Sequence, residues 1–309
     1  MLKSLKNLLV ICGPTASGKT RLAVSCALHL QGEIVSADSR QVYRGMDIGT
    51  GKDLSEYNTP SGTVPFHLID IADPTELYTL FHYQQDCYTV IADILGRGKL
   101  PVLTGGTGLY IEAVLNNYRI PNVPENYSLR KSLMKKTKDV LAEHLRMQDP
   151  RLHAATDLSS KKRIVRALEI AAFAKNHTIQ WGIDQPPAVS PVIIGIARPR
   201  EELLKGIDRR LRERLDAGMV EEVENLLASG IPVERFNYFG MEYKHVARYL
   251  NKQVSYKTMV NELARDIHRL AKRQMTYFRG MERRGLTIHW IETADRDAAL
   301  KIIESYRYR

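Results

Sequence analysis

Residues 13–20 hold the side chains with the clearest chemical meaning in this sequence of 309 residues. Their order is Gly, four residues, and then Gly-Lys-Thr, the pattern of a loop whose backbone N–H groups surround phosphate oxygens. In such a loop Lys19 is a point charge for the phosphates, and the hydroxyl of Thr20 is placed to bind magnesium. We therefore predict a polyphosphate ligand with Mg²⁺. The loop does not define the reaction.

The elements that must position this loop are predicted to be strands and helices of a parallel sheet. An apolar run at residues 8–12 precedes the loop, and apolar residues at helical spacing follow it. Residues 33–37 indicate a second strand that ends at Asp38, and residues 100–103 indicate a strand that runs into the Gly-Gly-Thr turn at 105–107. Ligands of open parallel sheets bind at the carboxyl ends of strands, so we expect Asp38 and this turn to face the phosphate loop. Asp38 could also cap a turn or support magnesium.

Further strands are predicted by apolar runs, and further helices by apolar residues at helical spacing. The strands span residues 66–71, 192–197 and 288–291, and the helices span residues 77–95, 207–217, 220–228 and 256–283. Ser255 is placed to cap the last helix, and the near-continuous apolar character of residues 192–197 favours a central strand. Residues 45–63 are predicted to be a loop that could close over a ligand.

The strand signal disappears between residues 118 and 190, where apolar residues recur at helical spacing among Lys and Arg. We therefore predict a core domain of residues 1–118 and 190–309, interrupted by a helical insertion domain of residues 119–189. A helix through residues 161–170 could be capped by Ser159 or Ser160. Arg163 and Arg166 lie three apart on one of its faces, which could hold a nucleic-acid backbone or could be solvated surface.

The net charge of +10 is unevenly distributed along the chain. Residues 1–118 contain 9 Lys and Arg against 11 Asp and Glu, whereas residues 119–189 contain 13 against 7 and residues 190–309 contain 23 against 17. The phosphate-loop segment is therefore slightly acidic, and the excess positive charge lies in the later segments. This asymmetry indicates a polyanionic partner such as nucleic acid, and a solvated basic surface without a partner is the alternative.

Several classes of protein are disfavoured by the composition. The apolar runs are too short for a membrane span or a signal peptide, so we expect a cytoplasmic protein with no membrane association. Three cysteines, an odd number, suit free thiols in a reducing compartment. The histidines show no paired spacing with each other or with cysteines, so a structural zinc site has no support. We expect a monomer.

Together these segments resemble the tRNA dimethylallyltransferase family, also called tRNA isopentenyltransferases, over most of the chain. The resemblance is carried by residues 13–20, Asp38-Ser39-Arg40-Gln41-Val42-Tyr43, Met46-Asp47-Ile48-Gly49-Thr50, Gly105-Gly106-Thr107-Gly108-Leu109-Tyr110, Arg163 and Arg166 with Ala167-Leu168-Glu169, Arg210, and Ala271-Lys272-Arg273-Gln274. Two positions depart from the family's pattern. Glu242 precedes Tyr243-Lys244 where the family usually has Gly, and Tyr277 stands where it usually has Trp.

The resemblance implies an α/β fold, a P-loop nucleoside-triphosphate-hydrolase-like core with a parallel sheet, interrupted by the helical insertion domain. It implies transfer of a dimethylallyl group from dimethylallyl diphosphate to the exocyclic N6 of the adenine 3′-adjacent to the anticodon in tRNA, with release of diphosphate. The basic insertion would then hold the anticodon arm, because the target base must leave its stack to reach a buried crevice.

Roles for single residues follow from the same resemblance. Asp38 would accept the N6 proton or a hydrogen bond from N6, and Thr107 would position the adenine or the diphosphate. The diphosphate would be bound by Gly13, Thr15, Ala16, Ser17, Gly18, Lys19, Thr20 and Arg210, with Mg²⁺ at Thr20. The tRNA would be bound by Asp38, Ser39, Arg40, Gln41, Thr107, Lys162, Arg163, Arg166 and Gln274.

Three other classes share part of this pattern. A P-loop small-molecule kinase would have the same fold, loop and magnesium, and an adenine-nucleotide isopentenyltransferase would use the same donor. The basic insertion argues against both, because a metabolite or AMP does not need so extended a cationic surface. A non-catalytic RNA-binding module would not need the phosphate loop, Asp38 and Thr107 on one sheet edge.

Overall fold

The computed structural model describes residues 6–183 and 185–307. Within that part of the chain the strands are β1 (Leu8–Cys12), β2 (Glu33–Ser36), β3 (Asn58–Thr59), β4 (Gly62–Thr63), β5 (Phe66–His67), β6 (Pro101–Gly105), β7 (Pro121–Asn122), β8 (Gln180–Trp181), β9 (Pro191–Ile196) and β10 (Ile288–Ile291). The helices are α1 (Lys19–Leu30), α2 (Leu80–Gly96), α3 (Gly108–Leu115), α4 (Tyr127–Leu133), α5 (Lys138–Gln148), α6 (Pro150–Ala155), α7 (Lys161–Ala174), α8 (Arg200–Asp216), α9 (Met219–Ala228), α10 (Phe236–Phe239), α11 (Met241–Leu250), α12 (Tyr256–Arg283) and α13 (Arg296–Arg307).

A six-stranded parallel sheet in the order β10-β9-β1-β6-β2-β5 forms the centre of the fold. Cys12 pairs with Gly105 and Ser36 pairs with Thr104, so β1, β6 and β2 end side by side. These strands carry the phosphate loop, the second glycine-rich turn and Asp38. The predicted parallel α/β core is confirmed, as is the expectation that the three loops share one sheet edge.

Both faces of this sheet are covered by helices. Val10 packs in a cluster with Ile91 of α2, Ile111 of α3 and the end of α12, whereas its neighbour Ile11 packs in a cluster with α1 and α13. Successive side chains of a strand point to opposite faces, and burial on both faces explains why β1 is apolar along its whole length. A further cluster is formed by α8 to α12 and brings these helices together at the carboxyl edge of the sheet.

The chain divides into two compact units. One unit comprises Met1–Asn117 and Pro186–Arg309, and the other comprises Tyr118–Gln185. The second unit has a core formed by Leu141, Leu145 and residues of α7 such as Ile164 and Leu168. It also contains an antiparallel pair, β7 with β8, so the expectation that this segment has no strands is wrong.

Several elements differ from the sequence prediction. The predicted strand at residues 66–71 leaves the sheet after His67, because Leu68 and Asp70 adopt positive φ values of 63° and 57°. The helix predicted from residue 77 begins at Leu80, where Thr79 forms a capping box with His82. The predicted loop at residues 45–63 contains the 3₁₀ turn Leu54–Tyr57 and the pair β3–β4, and the helices α10 and α11 were not predicted.

Other expectations hold. Helix α12 spans Tyr256–Arg283, and the Ser255 hydroxyl caps it by accepting a hydrogen bond from Thr258 N. Strand β9 lies inside the sheet between β1 and β10. The three cysteines are free and buried. Among the described residues, no helix has both the length and the apolar character that crossing a bilayer requires.

Candidate active site

Three loops meet at the carboxyl edge of the sheet, and close backbone contacts fix their spacing. Thr107 N donates a hydrogen bond of 3.1 Å to Ala37 O, which ties the turn after β6 to the segment after β2. A Cβ atom on Gly105 would lie only 2.1 Å from Ala37 O, so this approach requires glycine at residue 105. The glycine in this turn therefore brings Thr107 and Asp38 together.

Gln274 of α12 joins the phosphate loop to the second glycine-rich turn. Its Oε1 atom accepts a hydrogen bond of 2.9 Å from Thr15 N, and its Nε2 atom donates one of 3.0 Å to Gly106 O. Both the oxygen and the nitrogen of the Gln274 amide therefore already form hydrogen bonds within the protein, and so does the backbone N–H of Thr15. The predicted roles of Gln274 in tRNA binding and of Thr15 in diphosphate binding therefore stay predictions.

The phosphate loop presents an anion cradle at the start of α1. Ala16 and Gly18 have positive φ values of 60° and 87°, which turn successive N–H groups toward one side of the loop. The first turn of α1 contains no acidic residue that would occupy this end of the helix. The Ser17 hydroxyl is buried and has no hydrogen-bond partner among the described residues.

Lys19 is held beside this cradle. Its Nζ atom lies 3.5 Å from Pro14 O, and its surroundings contain the charges of Asp38, Arg210 and Arg214. Burial, together with the charges of Arg210 and Arg214, lowers the pKa of Lys19 to about 8, against the opposing effect of Asp38. A bound anion would favour the charged ammonium, so Lys19 is set to respond to a phosphate group.

Asp38 is placed by the turn that follows β2. Its Oδ1 atom accepts a hydrogen bond of 2.9 Å from Arg40 N, so one carboxylate oxygen caps this turn. Ser39 N donates a hydrogen bond of 3.1 Å to the Thr107 hydroxyl, and this contact anchors the turn to the neighbouring loop. Gln41 donates to Gly51 O at 3.0 Å. The segment from Asp38 to Gln41 is therefore held rigidly, with the Oδ2 atom of Asp38 making no hydrogen bond within the described part of the chain.

These groups line one cavity of about 500 Å³. The wall contains Lys19 and Thr20, Asp38 and Thr107, and residues of α8, α11 and α12. Ten of the lining residues were predicted as site residues, and the sequence analysis missed other polar wall residues, among them Arg214, Lys244, His245 and Asp266. Helical periodicity could have indicated Arg214, because it lies one turn after Arg210 on α8.

A sequence profile of the family described as IPP transferase matches residues 41–281, and one described as isopentenyl transferase matches residues 6–60. The chain is 50% identical over 294 residues to tRNA dimethylallyltransferase 1 of Syntrophus aciditrophicus, covering 95% of this chain and 96% of the relative. It is 51% identical over 285 residues to tRNA dimethylallyltransferase 2 of Porphyromonas gingivalis, with 92% and 93% covered. The chain belongs to the tRNA dimethylallyltransferase family.

Solved structures agree with this membership in the tRNA dimethylallyltransferase family. The full-length tRNA isopentenylpyrophosphate transferase of Bacillus halodurans superposes with a TM-score of 0.68 at 34% identity, covering 98% of this chain and 95% of that one. A eukaryotic dimethylallyltransferase acting on tRNA superposes with a TM-score of 0.71, covering 98% and 77%. Its identity is 22%, so that likeness concerns the fold alone.

The departure from the dimethylallyltransferase pattern at Tyr277 has a local explanation. The Tyr277 hydroxyl donates a hydrogen bond of 2.5 Å to Glu112, a buried carboxylate that also pairs with Arg284 at 2.5 Å. The ring packs closely on Gly108, where a Cβ atom would lie 2.4 Å from the ring. The Tyr277 ring therefore packs against the start of α3, and its hydroxyl is an additional hydrogen-bond partner for Glu112.

Thr20 and the phosphate loop supply the kind of donors that bind a magnesium ion together with a polyphosphate. Within the described residues no group of three or more His, Cys, Asp or Glu is arranged to hold a metal. Magnesium instead often uses one or two protein oxygens with substrate phosphates and water. The Thr20 hydroxyl lines the cavity and makes no hydrogen bond to a described residue, so it suits this arrangement.

The basic side chains predicted on α7 behave differently from one another. Lys162 and Arg163 are exposed, and Arg163 pairs with Asp157. Arg166 instead donates a hydrogen bond of 2.6 Å to Val123 O and lies 3.5 Å from the buried carboxylate of Glu169. Ser160 occupies the position before α7, but its side chain makes no capping bond. Arg166 thus stabilises the fold of this unit, while Lys162 and Arg163 face solvent.

Proposed function

We propose that this chain transfers the dimethylallyl group of dimethylallyl diphosphate to the exocyclic N6 of the adenine 3′-adjacent to the anticodon in tRNA, and releases diphosphate. The observation that carries the proposal is one cavity shared by a carboxylate and a phosphate loop. Asp38 lines the cavity that Lys19 and Thr20 also line, which supports a site where a group for the attacking amine and groups for the leaving diphosphate share one space. Family membership supports the same reaction.

The chemistry requires two charges to be managed at once. The N6 nitrogen forms a bond to C1 of the allyl group, and the bond from C1 to the diphosphate oxygen breaks with its electron pair on that oxygen. Lys19 and Arg210 would stabilise the negative charge that grows on the diphosphate, together with the N–H groups around Gly18. Asp38 would accept the proton that N6 loses, through the oxygen that does not bind Arg40 N.

The role of Thr107 is to position the turn that carries Asp38. Its hydroxyl accepts the hydrogen bond from Ser39 N, so it fixes the turn that aims Asp38 into the cavity. Magnesium at Thr20 would neutralise part of the charge on the diphosphate when it is bound. The protein groups that orient the reaction are then Lys19 and Arg210 for the donor and Asp38 for the acceptor.

Binding of tRNA is assigned to the basic unit formed by residues 118–185 together with the residues around Asp38. Exposed Lys162 and Arg163 supply charge for the phosphate backbone, which gives affinity without base selectivity. An adenine nucleotide would need no such surface, so tRNA is favoured over AMP as acceptor.

One assay tests the proposal. Labelled dimethylallyl diphosphate is offered with unmodified tRNA, with AMP and with buffer alone, and ATP is offered in a separate reaction. We expect label only in tRNA and no consumption of ATP. Label in AMP would identify an adenine-nucleotide isopentenyltransferase, and phosphoryl transfer from ATP would identify a kinase. A tRNA in which the adenine beside the anticodon is replaced by guanine is the matched control, because it lacks the accepting amine at that position.

A further inference from the structure

A second arginine of α8 lies at the phosphate end of the cavity, and no role has been assigned to it. Arg214 follows Arg210 by four residues, so both side chains leave the same face of the helix. The side chain of Arg214 is only 13% exposed, compared with 30% for Arg210. Both line the cavity that contains Lys19 and Thr20.

The two guanidinium groups are packed against one another over Gly51. A Cβ atom on Gly51 would lie 1.6 Å from Arg214 Nη2 and 2.9 Å from Arg210 Nη2, so the two nitrogen atoms are within about 4.5 Å, the sum of those distances. Gly51 has a positive φ of 64°, and glycine is required there both for this backbone conformation and for the space. Two positive charges at this separation repel each other, and an anion between or beside them would offset that repulsion.

The anions present in the protein satisfy the two arginines unequally. Arg210 forms an ion pair with Asp53. Arg214 has a weaker set of partners, with Gly49 O at 3.4 Å and a Glu242 oxygen at 3.9 Å. Its Nε atom is buried and has no hydrogen-bond partner among the described residues. A mostly buried guanidinium with an unused donor is costly, and the cost is relieved by a ligand that accepts from it.

We propose that Arg214 is a diphosphate-binding residue that acts beside Arg210 and Lys19 on the donor. This inference rests on the proposed function, because it takes the diphosphate of the prenyl donor as the ligand. A diphosphate carries its charge on two phosphoryl groups. Arg210 and Arg214 present two adjacent guanidinium forks that match such an extended anion better than a single phosphate.

Glu242 explains how Arg214 is kept charged and in place before the donor binds. It lies in the first turn of α11, where the helix dipole favours a carboxylate, and its side chain is largely buried in the cavity wall. Burial raises the pKa of Glu242, and Arg214 opposes that effect. Burial also lowers the pKa of Arg214, and the charge of Arg210 adds to this. Each group therefore stabilises the charged form of the other, but at 3.9 Å the contact is long, so a phosphate oxygen that accepts directly from Arg214 would bind it more strongly than Glu242 does.

The test measures binding of inorganic pyrophosphate and of inorganic phosphate, by calorimetry, to wild type and to Arg214→Met. We expect Arg214→Met to bind pyrophosphate about tenfold to a hundredfold more weakly, the loss typical of a charge-assisted contact, while phosphate binding falls much less. Arg212→Met is the matched control, because Arg212 lies on the same helix and is exposed. It should bind both anions like wild type.

A second variant keeps the test decisive if Arg214→Met does not fold. Arg214→Lys retains the charge without the planar fork, and we expect it to recover part of the pyrophosphate affinity and little of the preference for pyrophosphate over phosphate. Wild-type pyrophosphate affinity in a folded Arg214→Met, or a wild-type preference for pyrophosphate over phosphate in Arg214→Lys, would overturn the inference. Pyrophosphate binding does not depend on transfer to tRNA. A wild-type protein that binds pyrophosphate through Arg214 but prenylates nothing would refute the proposed function alone.

Discussion

The two ends of strand β2 differ in how well their buried charged groups are paired. Glu33 begins the strand, and its oxygens meet Arg97 at 2.5 and 2.8 Å, His67 at 2.9 Å and Lys99 at 3.2 Å. These hydrogen bonds, chiefly those from Arg97, hold the pKa of Glu33 well below its usual range. Asp38 follows the other end of the strand, where Lys19 lies 3.5 Å from Pro14 O and Arg214 lies 3.9 Å from Glu242.

Burial dominates at the Asp38 end. It lowers the pKa values of Lys19 and Arg214 and raises that of Glu242, so each group is pushed toward its neutral form. A charge cluster that already satisfies itself stabilises a fold, whereas a cluster left under-satisfied can bind a ligand. By this criterion the Glu33 end is structural and the Asp38 end is functional. His67 belongs to the Glu33 end through its contact with Glu33.

The largest expected effect is on the chemical step at Asp38. Asp38→Asn keeps an oxygen that can accept from Arg40 N, so the turn is retained while the proton acceptor is lost. We expect its single-turnover rate at saturating donor and tRNA to fall by about a hundredfold to ten-thousandfold, the contribution typical of a general base. Asp38→Ala removes the turn contact as well. If Asp38→Asn retained wild-type rate and only Asp38→Ala were slow, Asp38 would be a capping residue.

Lys19 should show the next largest effect, and it should depend on pH. Lys19→Met is expected to weaken binding of dimethylallyl diphosphate about tenfold to a hundredfold at neutral pH, through loss of a charged contact, and to leave tRNA affinity unchanged. Because the pKa of Lys19 is lowered to about 8, the free ammonium loses its proton as pH rises through that value. Wild-type donor affinity should therefore fall above about pH 8.

The variant Lys19→Arg is the control for this titration. Its guanidinium stays protonated, so donor affinity should show no inflection near the Lys19 pKa even if it is weaker overall. The same measurement on Lys19→Met corrects for titration of the diphosphate itself. An identical inflection in all three proteins would show that the pH dependence of donor binding does not come from Lys19.

At the Glu33 end the change should appear in stability and not in catalysis. Glu33→Gln should lower the free energy of unfolding by about 1.5–3 kcal/mol, the range for hydrogen bonds to charged groups. A carboxyl whose pKa is lower in the folded state stabilises the fold above its unfolded pKa, and this contribution is lost as pH falls below about 4.5. The difference between wild type and Glu33→Gln should therefore shrink in acid.

Asp93→Asn is the matched control for Glu33→Gln. Asp93 pairs with the same Arg97 at 2.8 Å, but its side chain is 61% exposed. Its loss should cost less than about 1 kcal/mol, as for other surface pairs. A loss of transferase activity in Glu33→Gln at a temperature where the protein is fully folded would contradict the division between the two ends of β2.

The sequence predicted those parts of the site that depend on local patterns. Strand, glycine-rich turn and helix signals were enough to bring Asp38, Lys19 and Thr107 to one edge, because parallel strands align their carboxyl ends. The end of β5 was not predictable in this way. The chain turns at Leu68 and Asp70, and Asp70 pairs there with the buried ammonium of Lys52, a contact between distant segments.

The same limit applies to the cavity wall. Arg214 meets Gly51 and Glu242, and both contacts depend on tertiary packing of α8 and α11 against the loop that contains Gly51. Glu222 of α9 fixes that loop by accepting hydrogen bonds from the backbone N atoms of Asp47, Ile48 and Gly49 at 2.8, 2.7 and 3.0 Å. The sequence does not indicate this role of Glu222, because the loop that it binds has no periodic pattern from which its position could be predicted.

The smallest expected effect is on the helical unit of residues 118–185. There the buried carboxylate of Glu169 is paired with arginines, as that of Glu33 is. Arg130 lies 2.6 Å from Glu169, and Arg166 adds a weaker contact to it, so we expect Arg166→Ala to lower the melting temperature and barely change the salt dependence of tRNA binding. Lys162 and Arg163 are exposed, and each phosphate they neutralise releases counterions. Replacing both by Ala should flatten the slope of log affinity against log salt by roughly one to two units, with no change in melting temperature. The opposite pattern, a flatter slope for Arg166→Ala alone, would mean that Arg166 leaves Val123 and Glu169 to bind RNA.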